Sequence, residues 1–129
     1  MITRHVEHIM GIPVSLALRG PSERHVSARA AWQAVISELR HVDEVFSTYR
    51  EDSWISRLDR GEVSEQDCPI EVSEVIDLGE RAQWESDGAF DIRYDDSLDP
   101  SGVVKGWAVE RASRLLYHLD LDYLSLIHI

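Results

Sequence analysis

Residues 6–19, Val6-Glu7-His8-Ile9-Met10-Gly11-Ile12-Pro13-Val14-Ser15-Leu16-Ala17-Leu18-Arg19, carry the reading on which the fold turns. Val6, Met10, Ile12, Val14, Leu16 and Leu18 share one parity, while Glu7, Ser15 and Arg19 take the other. Successive side chains of an extended chain point to opposite faces, so this alternation predicts a half-buried strand. Pro13 has no N–H to give a ladder, which predicts an edge strand or a bulge at Gly11-Ile12-Pro13. Gly20-Pro21-Ser22 then reads as a turn, with Ser22 available as a helix N-cap.

From Val26 to Phe46 the period changes. Ala28, Trp32, Val35, Leu39, Val42 and Phe46 follow one another at intervals of four, three, four, three and four. That is the stripe of an amphipathic helix, with Glu38, Arg40, His41 and Glu44 on its wet side. The stripe stops at Ser47-Thr48-Tyr49-Arg50, and Asp52-Ser53 predicts the cap of a short helix from Trp54 to Leu58, ended by Arg60-Gly61. Pro69 to Val72 reads as a short extended piece before a helix from Ser73 to Glu85, capped by Ser73, with Val75, Ile76, Gly79 and Ala82 on one face. The chain breaks at Asp87-Gly88 and passes through Ile92-Arg93-Tyr94 into an acidic loop, Asp95 to Pro100. A third long helix is predicted from Val103 to His118, its apolar face made by Val104, Ala108, Ala112, Leu115 and Leu119. Leu121 to Ile129 again has strand character. Strands separated by helices predict an α+β domain.

The 129 residues fit one domain or part of a larger one, and an apolar content of 43% is that of a globular chain. With 24 acidic and 13 basic residues the net charge is −11, which argues against nucleic-acid binding, since phosphate contacts need clustered Lys and Arg. The longest uncharged apolar stretch, Ile9 to Leu18, is about half the length of a bilayer span. No cationic leader precedes it, which predicts a cytoplasmic chain without a membrane segment. A lone Cys68 excludes an internal disulfide and any Cys-based zinc site.

Four places carry candidate chemistry. In Ser101-Gly102-Val103-Val104-Lys105-Gly106, two glycines and a lysine at a helix start either present backbone N–H groups to a phosphate or serve close packing. It is not a P-loop. Asp95, Asp96 and Asp99 either hold a hard cation or form a solvated acidic turn, and their spacing is not that of an EF-hand. Gly88-Ala89-Phe90-Asp91 either brings amides and a ring to a flat ligand or is a tight connection with Phe90 in the core. Tyr49 either stacks on a ring or covers the end of the first helix.

In order, these pieces resemble the ApbE family of FAD:protein FMN transferases. The resemblance rests on Met10-Gly11, Phe46-Ser47-Thr48-Tyr49-Arg50 with Asp52-Ser53 and Ile55-Ser56-Arg57-Leu58, then Gly88-Ala89-Phe90-Asp91, then Leu98-Asp99-Pro100-Ser101-Gly102-Val103-Val104-Lys105-Gly106-Trp107-Ala108. It spans Arg4 to Asp120 and implies an ApbE-like, T-fold-like mixed sheet with packed helices and an incomplete C-terminal half. The implied activity is Mg²⁺-dependent transfer of FMN from FAD to a Ser or Thr hydroxyl of an acceptor protein, releasing AMP. By resemblance, Met10, Tyr49, Ala89, Phe90, Asp91, Asp99 and Lys105 contact FAD, and Gly102 occupies a Mg²⁺-ligand position that only its carbonyl could fill. The family's acidic metal ligands and a later glycine-rich stretch have no counterpart here. That implies residues 1–124 of a truncated transferase domain, inactive alone, with 125–129 as an unaligned tail. The alternative is a non-catalytic flavin-nucleotide-binding module or an acidic interaction domain.

Overall fold

The stretch that alternates as one strand folds as two. In the computed structural model, which describes residues 2–9, 12–19, 25–94, 96–116 and 123–128, β1 (Ile2–Ile9) and β2 (Ile12–Arg19) pair antiparallel from Ile2↔Arg19 to Ile9↔Ile12. Every pair in this register joins an even residue to an odd one. The reversal therefore moves the even residues of β1 to the face opposite the even residues of β2. Val14 and Leu16 are fully buried, whereas Val6, paired with Ser15, is 64% exposed. Parity alone puts Val6 on the face of Val14, because the alternation carries no mark of the reversal between them. Burying Val14 and Leu16 is worth roughly 1.5–3 kcal/mol each, which fixes the register.

The final strand, β5 (Tyr123–His128), pairs antiparallel with β2 from Val14↔His128 to Arg19↔Tyr123, giving the order β1-β2-β5. β2 is thus the middle strand of this sheet and not the edge strand expected. Of the expected bulge, Gly11 lies outside the described residues, and Ile12 and Pro13 pair in regular register with Ile9 and His8 of β1. The strand character read over Leu121 to Ile129 is found in β5, whose last four described residues are Ser125 to His128.

The chain divides into two units, residues 1–41 with 108–129 and residues 42–107. The first holds the three-stranded sheet, most of α1 (His25–Phe46) and the later part of α4 (Ser101–Arg114). Its buried residues include Ile9, Val14 and Leu16 of the sheet, Trp32, Val35 and Leu39 of the predicted α1 stripe with Ala31 and Ile36 beside them, and Ala108, Ala112 and Leu116. α4 ends earlier than expected: Leu115 is 37% exposed and its neighbour Leu116 is buried instead, while Leu119 lies outside the described residues. Glu38 is half-buried rather than wet, with the Arg111 guanidinium 3.2 Å from its carboxylate.

The second unit holds α2 (Trp54–Asp59), α3 (Ile70–Glu85) and a two-stranded hairpin of β3 (Arg93–Tyr94) and β4 (Ser97–Leu98). α3 begins three residues before the predicted Ser73, with Pro69 as its N-cap, so Val72 is a buried helical residue and not part of an extended piece. A 3-10 turn (Glu65–Asp67) precedes it, held by a reciprocal cap between Ser64 and Asp67. Those hydrogen bonds from Ser64 hold the Asp67 carboxyl below its ordinary range. Among the described residues no helix is long and apolar enough to cross a membrane.

α3 and the segment after it meet at one glycine. A Cβ on Gly79 would stand 2.7 Å from Ile92 Cγ2 and 2.9 Å from its Cδ1, and Ile92 is itself 2% exposed. A β-branched side chain in a filled site cannot swing away cheaply. Gly79→Ala is therefore expected to lower unfolding stability by about 1–3 kcal/mol in urea denaturation, although alanine is the better helix former. An unchanged midpoint would show that Ile92 yields.

Candidate functional site

Apart from Met10, which lies outside the described residues, every residue singled out from the sequence falls in the second unit. α1 ends at Phe46, and the ring of Trp107 meets Phe46 edge-on at 5.5 Å. The loop beyond it is organised by Ser53, whose side chain is completely buried. Its hydroxyl donates to the Ser47 carbonyl at 2.6 Å and accepts from the Ser56 N–H at 3.2 Å. The Ser56 hydroxyl stands 3.0 Å away. One hydroxyl thus caps α2 and clasps the start of the Ser47–Tyr49 turn. The Tyr49 N–H donates to Ser47 Oγ at 3.3 Å, and the Tyr49 ring is 96% exposed, so it neither covers a helix end nor packs on Phe90. Beside it, the Arg50 guanidinium hydrogen-bonds Asp52 and holds that carboxyl below its usual range.

α2 closes on Gly61, whose φ of 76° is the left-handed conformation that glycine adopts without strain. Gly61 N–H bonds Leu58 O and Glu62 N–H bonds Arg57 O, the paired closure of a Schellman motif. Arg60 ties this end back to the loop, donating to Glu51 O at 2.7 Å and to both Glu62 carboxylate oxygens. α3 ends in the same way: Asp87 (φ 53°) and Gly88 (φ 84°) place their N–H groups on Trp84 O and Gln83 O.

That reversal delivers Ala89, Phe90 and Asp91. Phe90 N–H donates to Ser86 Oγ at 2.9 Å, and Asp91 folds its carboxylate onto the Arg93 N–H at 2.9 Å. The β3–β4 hairpin returns the chain so that Asp99 N–H reaches Ile92 O at 2.7 Å. The loop expected from Asp95 to Pro100 thus contains a strand, turning through Asp96 at φ 59°. Asp95 lies outside the described residues.

Asp99 then caps α4, accepting from the Ser101 N–H at 3.0 Å and from the Ser101 hydroxyl. Pro100 O takes the N–H groups of Val103 and Val104. The helix start expected to offer free amides to phosphate has therefore committed three of them internally. The two glycines differ. A Cβ on Gly102 would meet the Phe90 ring at 3.2 Å, so Gly102 does serve close packing; around Gly106, inside α4, there is open space. Half-buried Lys105 comes three residues after Gly102, on the neighbouring helix face.

Phe90 and Gly102 are thus brought together, with Asp99 three residues before Gly102 along the chain; Asp91 follows Phe90 and Lys105 follows Gly102 in sequence. A cleft of about 230 Å³ is lined by Thr48, Ser56, Asp59, Ser97 and Asp99, among others; of the residues singled out from the sequence it takes in Asp99 and not Tyr49, Phe90, Asp91, Gly102 or Lys105. It joins the Tyr49 loop, through Thr48, to Asp99. Asp59 was missed in the sequence: its Oδ1 accepts the Leu98 N–H at 2.9 Å, across 39 residues. A signal existed, because a carboxylate at a helix C-terminus opposes the macrodipole and calls for a compensating donor.

Among the described residues no three His, Cys, Asp or Glu side chains stand together as a metal site. Gly102, within the first turn of α4, directs its carbonyl along the helix. Cys68 is half-buried, and burial together with Asp67 and Glu65 pushes its thiol up, away from the nucleophilic thiolate.

A model of the ApbE family matches residues 10–97, about two-thirds of the chain. The chain belongs to the ApbE family. That match takes in Met10, Tyr49 and Ala89-Phe90-Asp91 but stops before Asp99, Gly102 and Lys105. No curated protein matches the chain. Among solved structures it is similar to the flavin transferase ApbE from Vibrio cholerae, at 16% identity and a TM-score of 0.80, over 98% of this chain and 56% of that one. A variant of that protein gives 15% identity and a TM-score of 0.85, over 98% and 60%. The apo flavinyl transferase ApbE from Pseudomonas stutzeri gives 18% and 0.77, over 98% and 58%. At these identities the likeness shows a shared α+β fold, and the chain spans somewhat over half the length of each.

Ser53→Ala removes a buried hydroxyl and leaves the Ser56 N–H and Ser47 carbonyl without it. The expected loss is about 1–3 kcal/mol in a denaturant titration, with Thr restoring part of it. Loss below about 0.5 kcal/mol would mean that water replaces the hydroxyl at little cost.

Proposed function

We propose that this chain is the flavin-nucleotide-binding part of an ApbE flavin transferase, which moves FMN from FAD to a Ser or Thr hydroxyl of an acceptor protein and releases AMP. The observation that carries this is the junction where the Phe90 ring rests on the bare face of Gly102 beside Asp99 and ahead of Lys105. Family membership supplies the chemistry, and the solved structures of the same fold are flavin transferases by name.

In this reading each side chain has a plain task. Tyr49, exposed on a loop clasped at its base, offers a ring face for stacking. Ala89 leaves room, and the half-buried Phe90 supplies an apolar edge. Asp91 and Asp99 accept hydrogen bonds from hydroxyl groups of the nucleotide through carboxylate oxygens not used on Arg93 and Ser101. Lys105 supplies the cation that a diphosphate needs, since the first amides of α4 are taken by Asp99 and Pro100. Met10 joins the set by resemblance. Magnesium dependence is part of the reading for the longer protein, with the Gly102 carbonyl at a ligand position by resemblance.

A second reading, flavin-nucleotide binding without turnover, is favoured for this chain taken alone because it spans only 56–60% of the transferases that it matches.

Titration of FAD against the chain, followed by flavin fluorescence, is expected to saturate. Tyr49→Ala is expected to weaken it by about tenfold, the scale of one lost aromatic stack. No saturation at millimolar FAD would reject the flavin assignment. With FAD, Mg²⁺ and a Ser/Thr acceptor, mass spectrometry is expected to find covalent flavin with a longer family member and none with this chain. Efficient flavinylation by the 129 residues would instead place the whole reaction here.

A further inference from the structure

α2 contributes none of the residues assigned to the nucleotide, yet each of its ends holds one part of the site. At its N-terminus the buried Ser53 hydroxyl holds the Ser47 carbonyl, the root of the Tyr49 turn. At its C-terminus Asp59 Oδ1 accepts the Leu98 N–H at 2.9 Å, and Asp99 is the next residue. Leu98 is also buried and paired with Arg93 in the two-residue strands β3 and β4, and the Asp99 N–H is held by Ile92 O; a ladder this short leaves the Asp59 bond as the tie between this segment and α2. From Leu98 the chain runs directly into the capping carboxylate of α4 and then to Gly102 under the Phe90 ring. α2 itself is locked: the Schellman closure at Gly61 and the Arg60 tie to Glu51 leave the helix little freedom to shift.

We propose that Asp59 is a positioning residue of the flavin-nucleotide site, setting the distance between the Tyr49 loop and the Asp99–α4 junction through α2. The hydrogen bond is charge-assisted, the stronger class, and spends a carboxylate placed where the helix macrodipole disfavours it. A carboxylate there for solubility alone would have no reason to be turned onto a main-chain amide 39 residues away. The inference rests on the flavin-binding reading only for its consequence. The mechanical part, coupling of Asp59 to Leu98 and Ser101, stands apart from it.

The test uses the full chain with Asp59→Ala, which removes the acceptor, and Asp59→Asn, which keeps an oxygen in the same place and removes the charge. Amide exchange by NMR reads Leu98 and Ser101, and fluorescence titration reads FAD, both well below the melting temperature. Asp59→Ala is expected to speed exchange at both amides by about tenfold and to weaken FAD by a similar factor, while Asp59→Asn stays within about threefold of the parent on both. If Asp59→Ala fails to fold, Asp59→Glu, which moves the carboxylate out by one methylene, takes its place with the same expectations. Faster exchange with unchanged FAD affinity would overturn positioning and leave Asp59 a merely structural tie. Unchanged exchange at Ser101 would overturn the coupling itself. A parent chain that binds no FAD would reject the functional reading, and the exchange rates alone would then decide the coupling.

Discussion

A single buried hydroxyl governs the second unit. Ser53 sits at full burial, where an unmet hydroxyl would cost on the order of 1–3 kcal/mol, so its partners must be held in place as firmly as it is. Its proton goes to the Ser47 carbonyl, just past the end of α1, and its oxygen takes the Ser56 amide in the first turn of α2. Two helices and the turn between them are thereby tied at one point. Phe46 and Trp107, meeting edge-on at 5.5 Å, add the apolar part of the same junction. Polar satisfaction and packing reinforce each other here, and a loop residue as exposed as Tyr49 can still have a defined origin.

The ligand proposed for this chain is a dianion, which poses an electrostatic problem. The chain's net charge is −11, and carboxylates at Asp91 and Asp99 border the junction. Both are partly neutralised by main-chain donors, Arg93 N–H and Ser101 N–H, rather than by cations. Those bonds orient both carboxylates. Screening in solution weakens long-range repulsion beyond about 10 Å, so local donors decide the outcome more than the net charge does.

Much of the helical architecture was legible because a single sheltered stripe with four-three spacing fits a helix and little else, as α1 shows from Trp32 to Phe46. The cap at Ser53 and the stop at Gly61 were equally plain, since both depend on local chemistry. Where the reading failed, the deciding interaction was not local. Alternation through residues 6–19 cannot reveal a reversal that keeps the alternation going on either side, and only the pairing Ile9↔Ile12 exposes it. The strand at Ser97–Leu98 is too short for a periodic signal and exists through its pairing with Arg93–Tyr94 and its bond to Asp59. The glycines of the Ser101 to Gly106 segment look alike in sequence, and only the position of the Phe90 ring separates the one that must be bare from the one that need not be. The resemblance located the site segments; the bracing between them came from contacts tens of residues apart.

The left-handed pair at the end of α3 carries a chemical consequence of its own. An aspartate followed by glycine is open to cyclisation through attack of the glycine nitrogen on the aspartate side-chain carbonyl, which expels water and opens to isoaspartate. In the folded chain the Gly88 nitrogen is engaged, its proton on Gln83 O at 2.8 Å, which holds it back from that attack. Chemical ageing at Asp87 is thus a clock that runs while α3 is frayed, and it runs two residues from Ala89.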